Sequence, residues 1–395
     1  TFESECHHLL QIRAVDCLGN YVYDNESFYV DDQAPTIIKT VGDPNCSECL
    51  DEGDYCVTTD TVISLEAYNN GCCLDTEITL EYNISYYDDD ELVWTGWTSY
   101  ECTGPFTFTE ECKHELSVRA YDCLGNGMNV EYWDVETFYV DDQEPMIDKI
   151  VGTPNCPEPE GADFCVTTNT PIYLEAWDPG CCPCGIEFYY NVWTDTNENE
   201  WINVETLPLK MDDPYKDYSI FYFDEECYHH LDLKAVDCFG RTVYHNETFF
   251  VDDQAPYIEK TVGDPNCTGC NLNNNENELQ VAAAIPQIDT WCVTTDTPIT
   301  IDAWDQGCCG ILENVSYRIY YDGNWGPWID ILNEVENGEY TFTFDEECVH
   351  HLEIQAVDCL GNYWHDLEIF CVDDSAPVID KTVNAENCYQ GMVYE

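Results

Sequence analysis

The sequence predicts an all-β chain of tandem β-sandwich domains, and three observations carry that prediction. The first is a long repeat. Val30-Asp31-Asp32-Gln33-Ala34-Pro35 returns at Val140 to Pro145, Val251 to Pro256 and Val372 to Pro377, at spacings of 110, 111 and 121 residues. A fixed period of this size marks copies of one domain, not one large fold. The second is alternation. Leu10, Ile12 and Ala14 recur as Leu116, Val118, Ala120, as Leu231, Leu233, Ala235, and as Leu352, Ile354, Ala356. Apolar residues at every second position, with largely polar ones between, describe a half-buried strand. The third is the absence of any stretch of helical period. Copies of about 110 residues with roughly seven short strands describe a sandwich.

Taken in order, residues 1–30 are the last part of a repeat. Residues 31–140, 141–251 and 252–372 are complete copies, and 373–395 begins another. Each alternating strand runs from one cysteine to the next: Cys6 to Cys17, Cys112 to Cys123, Cys227 to Cys238, Cys348 to Cys359. Turn residues follow as Gly19-Asn20, Gly125-Asn126 and Gly361-Asn362, with Gly240-Arg241 in the remaining copy. A second strand, with Phe28/Val30, Phe138/Val140, Phe249/Val251 and Phe370/Val372 on one face, leads into the crossing. Upstream strands carry Ile63, Leu65, Ala67, then Ile172, Leu174, Ala176, then Ile299, Ile301, Ala303. Aromatic strands follow, among them Tyr82 to Tyr87 and Tyr317 to Tyr321. Residues 271–288 are an Asn-rich, then Ala-rich loop insertion in the third full copy.

Composition narrows the function. Eighty acidic residues against 12 basic ones leave a net charge of −68, which argues against nucleic acid and anionic membranes as partners. Aromatics at 14% show that this is a folded chain and not an acidic tail. Twenty-six cysteines favour an oxidising, extracellular setting. Six sequons, at Asn25, Asn45, Asn83, Asn246, Asn266 and Asn314, make N-linked glycans a further expectation. No run of some 20 apolar residues exists, so no transmembrane segment is expected. No signal peptide is visible, and the chain opens inside a repeat.

Each crossing carries adjacent carboxylates just ahead of a proline: Asp31-Asp32, Asp141-Asp142, Asp252-Asp253 and Asp373-Asp374. Proline and its predecessor favour extended backbone, so the crossing is short and stiff. Paired carboxylates there call for a cation, and Ca²⁺ suits oxygen-only ligands. The alternative is that both face solvent.

Ala-Val-Asp-x-x-Gly-Asn followed by Phe-Tyr-Val-Asp-Asp-x-Ala-Pro-x-Ile resembles the F and G strands and exit of immunoglobulin-like repeats in bacterial and archaeal surface proteins. The resemblance covers every copy. It implies all-β, tandem Ig-like, disulfide-rich β-sandwiches in secreted adhesins, surface layers or stalks, without catalysis. The Asp-Asp-x-Ala-Pro exit is also similar to cadherin calcium linkers, although the other acidic cadherin motifs are not matched.

In such a sandwich strands B and F run the same way across the core. If Cys56, Cys165 and Cys292 open strand B, the resemblance implies the staples Cys56–Cys112, Cys165–Cys227 and Cys292–Cys348. One member of each vicinal pair (Cys72-Cys73, Cys181-Cys182, Cys308-Cys309) would bond Cys123, Cys238 or Cys359. The Asn-Cys cysteines would reach the next copy, Cys46 to Cys181 or Cys182 and Cys156 to Cys308 or Cys309. Cys267 would need a following repeat.

Cys46-x-x-Cys49 and Cys267-x-x-Cys270 have zinc-like spacing, which the second copy lacks. His8, His114, His229 and His350 recur two residues after a cysteine, either as buried structural imidazoles or as transition-metal ligands. No phosphate loop, nucleophile elbow or His-Glu-x-x-His occurs. The pairs Glu110-Glu111, Glu225-Glu226 and Glu346-Glu347 repeat in every copy, unlike catalytic sites. The expected function is structural, a self-assembling cell-surface filament, sheath or layer made of copies of itself. The alternative is an adhesin or glycan-binding stalk using Trp94, Trp97, Trp325 and Trp328.

Overall fold

The structure is a computed structural model and describes residues 1–47, 50–72, 77–88, 91–157, 159–194, 200–206, 219–269 and 289–382. The insertion at 271–288, Cys49, Cys73, Cys270 and Cys388 lie outside them.

The chain is all-β, as its alternation requires. An N-terminal hairpin, β1 (Cys6–Val15) and β2 (Tyr21–Val30), pairs from Cys6↔Val30 to Val15↔Tyr21. The first full copy contains β3 (Thr36–Val41), β4 (Asn45–Cys46), β5 (Tyr55–Val57), β6 (Ile63–Tyr68), β7 (Thr79–Asp88), β8 (Glu91–Trp94), β9 (Thr98–Ser99), β10 (Cys112–Tyr121) and β11 (Asp134–Val140). One sheet is β3-β6, and the other runs β4-β5-β11-β10-β7-β8.

The second copy repeats this plan with β12 (Met146–Val151), β13 (Asn155–Pro157), β14 (Phe164–Val166), β15 (Ile172–Trp177), β16 (Glu187–Trp193), β17 (Ile202–Asn203), β18 (Ser219–Phe221), β19 (Cys227–Val236) and β20 (Thr242–Val251). Its sheets are β12-β15-β18 and β13-β14-β20-β19-β16-β17. The third contains β21 (Tyr257–Val262), β22 (Asn266–Thr268), β23 (Thr290–Val293), β24 (Ile299–Trp304), β25 (Leu312–Tyr321), β26 (Asn324–Trp325), β27 (Ile329–Asp330), β28 (Tyr340–Phe342), β29 (Cys348–Asp358) and β30 (Tyr363–Val372). Its sheets are β21-β24-β28 and β22-β23-β30-β29-β25-β26. Two sheets with these strand orders make an Ig-like sandwich.

The alternating residues fill the cores. Leu116, Val118 and Phe138 are fully buried with Ile63 and Leu65 beneath them, and Leu352, Ile354 and Phe370 repeat the arrangement. The N-terminal hairpin differs: Leu10 is 39% and Ile12 52% exposed. Each sandwich also holds an ion pair that the sequence reading did not single out. Lys39, Lys149 and Lys260 are 5–6% exposed and meet Glu136, Glu247 and Glu368. A buried ammonium needs such a partner.

One strand assignment differs from expectation, and it matters for the cysteines. Cys56 lies on β5, which pairs in parallel with β11. It does not open the strand that carries Ile63. A turn closed by Thr58 and Thr61 separates the two segments, with the Thr58 N–H donating to Thr61 Oγ1 at 3.0 Å. Cys165 on β14 and Cys292 on β23 take the same place beside β20 and β30.

The chain forms two compact units. One comprises residues 1–150, 172–221 and 230–247, the other 151–171, 222–229 and 248–395. Each unit contains one junction between successive full copies. Among the described residues no helix is long and apolar enough to cross a membrane.

Candidate functional site

The chemistry concentrates at the junctions. In the first unit Cys46 bonds Cys238, Cys56 bonds Cys182, and Cys112 bonds Cys181. In the second unit Cys156 bonds Cys359, Cys165 bonds Cys309, and Cys227 bonds Cys308. Cys6 of the hairpin bonds Cys72. All seven described bonds join a copy to the one after it. The within-copy staples Cys56–Cys112, Cys165–Cys227 and Cys292–Cys348 do not form.

The reason is strand order. Cys56 sits opposite Tyr139 on one side of β11, and Cys112 sits opposite Val140 on the other. Two strand spacings, about 9.6 Å, exceed the Cα separation a disulfide spans. Both cysteines therefore turn to the following copy. The Asn-Cys cysteines do reach that copy, but they meet its Asp-Cys turn (Cys238, Cys359), and the vicinal pairs take the other two thiols. Cys123, Cys292 and Cys348 are free, as are Cys17, Cys102 and Cys267.

Five sulfurs of the first junction, those of Cys46, Cys56, Cys182, Cys184 and Cys238, lie within 4.8 Å of one another. Cys182 Sγ approaches Cys238 Sγ to 3.6 Å, and Cys56 Sγ approaches Cys184 Sγ to 3.9 Å. Four of the five are consumed by two disulfides, and Cys184 is disulfide-bonded as well. Disulfide sulfur is a poor ligand beside thiolate, so the zinc reading does not fit the oxidised cluster.

The two carboxylates of each crossing go to different partners. Asp31, Asp141 and Asp252 are buried at 6%, 1% and 1% exposure. Each lies under the glycine of the next Gly-Cys-Cys. A Cβ added at Gly71, Gly180 or Gly307 would stand 1.9, 2.1 or 1.8 Å from an oxygen of Asp31, Asp141 or Asp252, so only glycine fits. Their free oxygens take backbone N–H groups: Gln143 N donates to Asp141, and Gln254 N and Cys309 N donate to Asp252. The second carboxylates are exposed caps. Asp142 accepts from the Thr59 N–H and hydroxyl, Asp253 from Thr168, and Asp374 from Thr295. Asp373 is exposed. Asp32 hydrogen-bonds Glu5, whose carboxyl is thereby raised above its ordinary range.

Three residues beyond the pairs complete each junction. In the first, Asp178 and Asp237 lie close to Asp141, and Arg241 is set among all three. Its guanidinium pairs with Asp237 and lies 3.5 Å from Asp141 Oδ1. In the second, Asp305 and Asp358 accompany Asp252, and Asn362 replaces the arginine, donating to Asp358 Oδ2 at 2.8 Å. Among the described residues Asp305 Oδ2 is shut from solvent without a well-formed hydrogen bond, while the Gly307 and Ile311 N–H groups act on the same carboxylate. Burial, and then repulsion from Asp252 and Asp358, raise the Asp305 carboxyl above its ordinary value. Burial also raises Asp358, with Asp252 adding to it. These roles were not read from the sequence, although Gly240-Arg241 in place of Gly-Asn was visible there.

The recurring histidines are core residues. His114, His229 and His350 are 2%, 5% and 3% exposed and pack on Phe108, Phe223 and Phe344. His114 Nδ1 lies 3.0 Å from the Cys112 carbonyl, and His350 Nδ1 3.3 Å from that of Cys348. Burial lowers the pKa of both. His8 lies on the open hairpin. The repeated acids brace the exits, with Gln143 bonded to Glu111 and Gln254 to Glu226.

Three of the tryptophans carry one of the protein's own arginines against a ring face, with Trp325 and Trp328 still 40% and 37% exposed. The Arg119 guanidinium carbon lies 4.0 Å from the Trp97 ring, and that of Arg318 lies 4.5 and 4.6 Å from Trp325 and Trp328. Trp94 is 55% exposed. Of the sequons, Asn25, Asn246 and Asn266 are exposed and Asn45 and Asn314 half-buried. Asn83 is only 5% exposed, which closes it to a glycan in the folded state. The Asn45 and Asn266 side chains hold their own loops by donating to the carbonyls of Gly42 and Gly263.

No protein-family model and no curated protein matches the chain. Among solved structures it is similar to protocadherin gamma B2 extracellular cadherin domains 3–6, at 14% identity over 93% of this chain and 84% of that one, with a TM-score of 0.27. It is also similar to a tetra-tandem repeat in the extending region of a large adhesion protein, at 11% identity over 94% and 82%, with a TM-score of 0.32. A third likeness is to a 1.5-MDa bacterial ice-binding adhesin, at 10% identity over 87% and 99%, with a TM-score of 0.27.

Proposed function

We propose that this chain is an extracellular structural protein that assembles with copies of itself into a cell-surface filament, sheath or layer. Its domains are residues 31–140, 141–251 and 252–372, flanked by parts of further repeats at 1–30 and 373–395. The supporting observation is the direction of the disulfides: all seven described bonds join consecutive copies. Bonds within a domain would stabilise that domain. Bonds between domains fix their spacing and resist extension, which is what a load-carrying thread needs. Electron microscopy of the native material tests the reading; regular filaments or lattices are expected, and dispersed single chains sink it.

A hard cation belongs to this proposal. Asp252, Asp305 and Asp358 are the donor set that fits Ca²⁺, because among the described residues Asp305 Oδ2 is shut from solvent without a well-formed hydrogen bond and the three carboxylates repel one another. The first junction meets the same need with Arg241. The aspartate pairs contribute only their first members, since the second cap threonine turns. N-linked glycans fit the exposed Asn25, Asn246 and Asn266. The adhesin reading is weaker because Arg119 and Arg318 occupy the faces of Trp97, Trp325 and Trp328.

A further inference from the structure

Each sandwich joins its first strand to its last through one buried pair. Lys39 on β3 meets Glu136 on β11, Lys149 on β12 meets Glu247 on β20, and Lys260 on β21 meets Glu368 on β30. The lysine belongs to one sheet and the glutamate to the other, so the pair crosses the core. Both partners lie inside a complete copy, at the same register each time. Lys39, Lys149 and Lys260 stand two residues before a valine, and Glu136, Glu247 and Glu368 two residues before a phenylalanine. In a chain with only 12 basic residues, three occupy this one position.

Charge alone is a weak reason for such a placement. Taking both ions out of water offsets most of their attraction, and apolar side chains of similar size often hold a core as well or better. The surroundings suit the uncharged pair instead. The lysine side chains are 5%, 5% and 6% exposed, the glutamates 19%, 18% and 8%. Aromatic rings wall the amine: Lys39 Nζ lies 5.6 Å from the Phe138 ring centroid, and Lys260 Nζ lies 4.9 and 5.5 Å from those of Trp291 and Phe370. Burial lowers the Lys39 pKa. It raises the Glu368 carboxyl against the pull of Lys260, with Asp366 adding to the rise. Both shifts run toward transfer of the ammonium proton to the carboxylate. A neutral amine is a nucleophile, and a protonated carboxyl is a group it can attack.

Proton carriers stand beside the pairs. Asp134 Oδ2 lies 3.5 Å from Lys39 Nζ. His245 Nε2 lies 3.0 Å from Glu247 Oε1, while Lys149 touches the other oxygen of the same carboxyl. Asp134, His245 and Asp366 hold the same place, two residues before the glutamate.

We propose that these pairs close into amide bonds, Lys39–Glu136, Lys149–Glu247 and Lys260–Glu368, so that each sandwich is sealed covalently from its first strand to its last. The lysine Nζ attacks the glutamate Cδ and forms the C–N bond. One C–O bond breaks, and that oxygen leaves as water with the carboxyl proton and one proton from the nitrogen. No oxidant, cofactor or second protein is needed, and net charge does not change. Amide formation between separate acid and amine is unfavourable in water. Holding the two groups in contact is worth an effective concentration of about 10⁵–10⁸ M, and a closed core excludes the water that would reverse the step.

The described disulfides all join one copy to the next, so these links supply the closure within a copy. They also shorten the path of a pulling force, because the chain enters each copy on β3, β12 or β21 and leaves it on β11, β20 or β30. Closure within a domain does not depend on assembly between chains.

The test is mass spectrometry of the purified chain, reduced, alkylated and freed of any glycan. A mass short of the sequence by three waters is expected, with branched peptides that carry Lys39 on Glu136, Lys149 on Glu247 and Lys260 on Glu368. In denaturant these lysines should resist an amine-acylating reagent that labels Lys113 and Lys234. Glu247→Ala should return one water and open Lys149 to the reagent, while Lys39 and Lys260 stay blocked and show that the neighbouring domains folded. A chain of full mass in which Lys39, Lys149 and Lys260 all acylate overturns the inference and leaves them as ion pairs. So does a water deficit traced to other residues, or a Glu247→Ala chain in which Lys149 stays blocked.

Discussion

The two complete junctions are built from the same parts except at one position. In the first, Asp141, Asp178 and Asp237 act on Arg241; in the second, Asp305 and Asp358 crowd Asp252, and Asn362 donates to Asp358. Three described disulfides close each. Burial works against the Arg241 charge, but its partners Asp237, Asp141 and Asp178 more than offset this and raise its pKa. Asn362 brings donors but no charge. Among the described residues, the second junction thus gathers the buried Asp252 and Asp358 and the half-buried Asp305 without an ion-pair partner. One chain thus carries two forms of the same acidic cluster, one with a built-in guanidinium and one with an amide in its place.

The largest expected effect tests what the junctions share. Replacing Cys46 and Cys238 by serine, or Cys156 and Cys359, should cost about 2–5 kcal/mol each, because these bonds close loops of 192 and 203 residues. Calorimetry without reductant reads both losses. Equal stability before and after would mean that the bonds do not form in solution.

The next effect exchanges the two forms. Arg241→Asn should destabilise the first junction by about 3–5 kcal/mol without divalent cations, since it strands buried carboxylates. Added Ca²⁺ should restore much of that loss. Asn362→Arg should instead make the second junction indifferent to chelator. Thermal melts of the three proteins, with Ca²⁺ and with chelator, decide this; identical chelator responses would remove the cation from the comparison.

A smaller effect isolates Asp305. Without Ca²⁺, Asp305→Asn should stabilise the chain by about 1–2 kcal/mol at neutral pH by removing a half-buried carboxylate that Asp252 and Asp358 repel. Asp305 and Asp358 are raised above their ordinary value of 3.8, so the folded state holds their protons more tightly than the unfolded chain. Their contribution is full below 3.8 and is lost as pH climbs through the raised values. The advantage of Asp305→Asn should therefore shrink as pH falls toward 4, and melts across that range would show it. An advantage constant with pH would mean that Asp305 titrates normally.

The smallest effect concerns the histidines. His114 and His350 are lowered below the ordinary 6.5 by burial, so their contribution is present above 6.5 and is lost as pH falls through the lowered values. NMR titration should find both imidazoles still neutral at a pH where an exposed histidine is half charged.

How much could be read beforehand differs between backbone and sites. Leu116, Val118 and Ala120 announced a strand because alternation is a local property of the chain. Cys56 was harder. Val57, three threonines and Ile63 follow it closely, so it reads as the start of the strand carrying Ile63. The Thr58–Thr61 turn breaks the segment, and Cys56 joins the opposite sheet beside β11. That reassignment overturned the staples Cys56–Cys112, Cys165–Cys227 and Cys292–Cys348. Asp305 lies more than 50 residues from both Asp252 and Asp358, so no local pattern shows that they meet.

By itself the sequence determined the repeat, the strands, the turn residues, the charge and the crowding of cysteines, because each is written in spacing and composition. The tertiary structure alone decided which cysteines bond, which aspartate of each pair is buried, and that Arg241 and Asn362 answer the same need. Disulfides and buried charges depend on separations of a few ångströms, and only the packing of one copy on the next sets those.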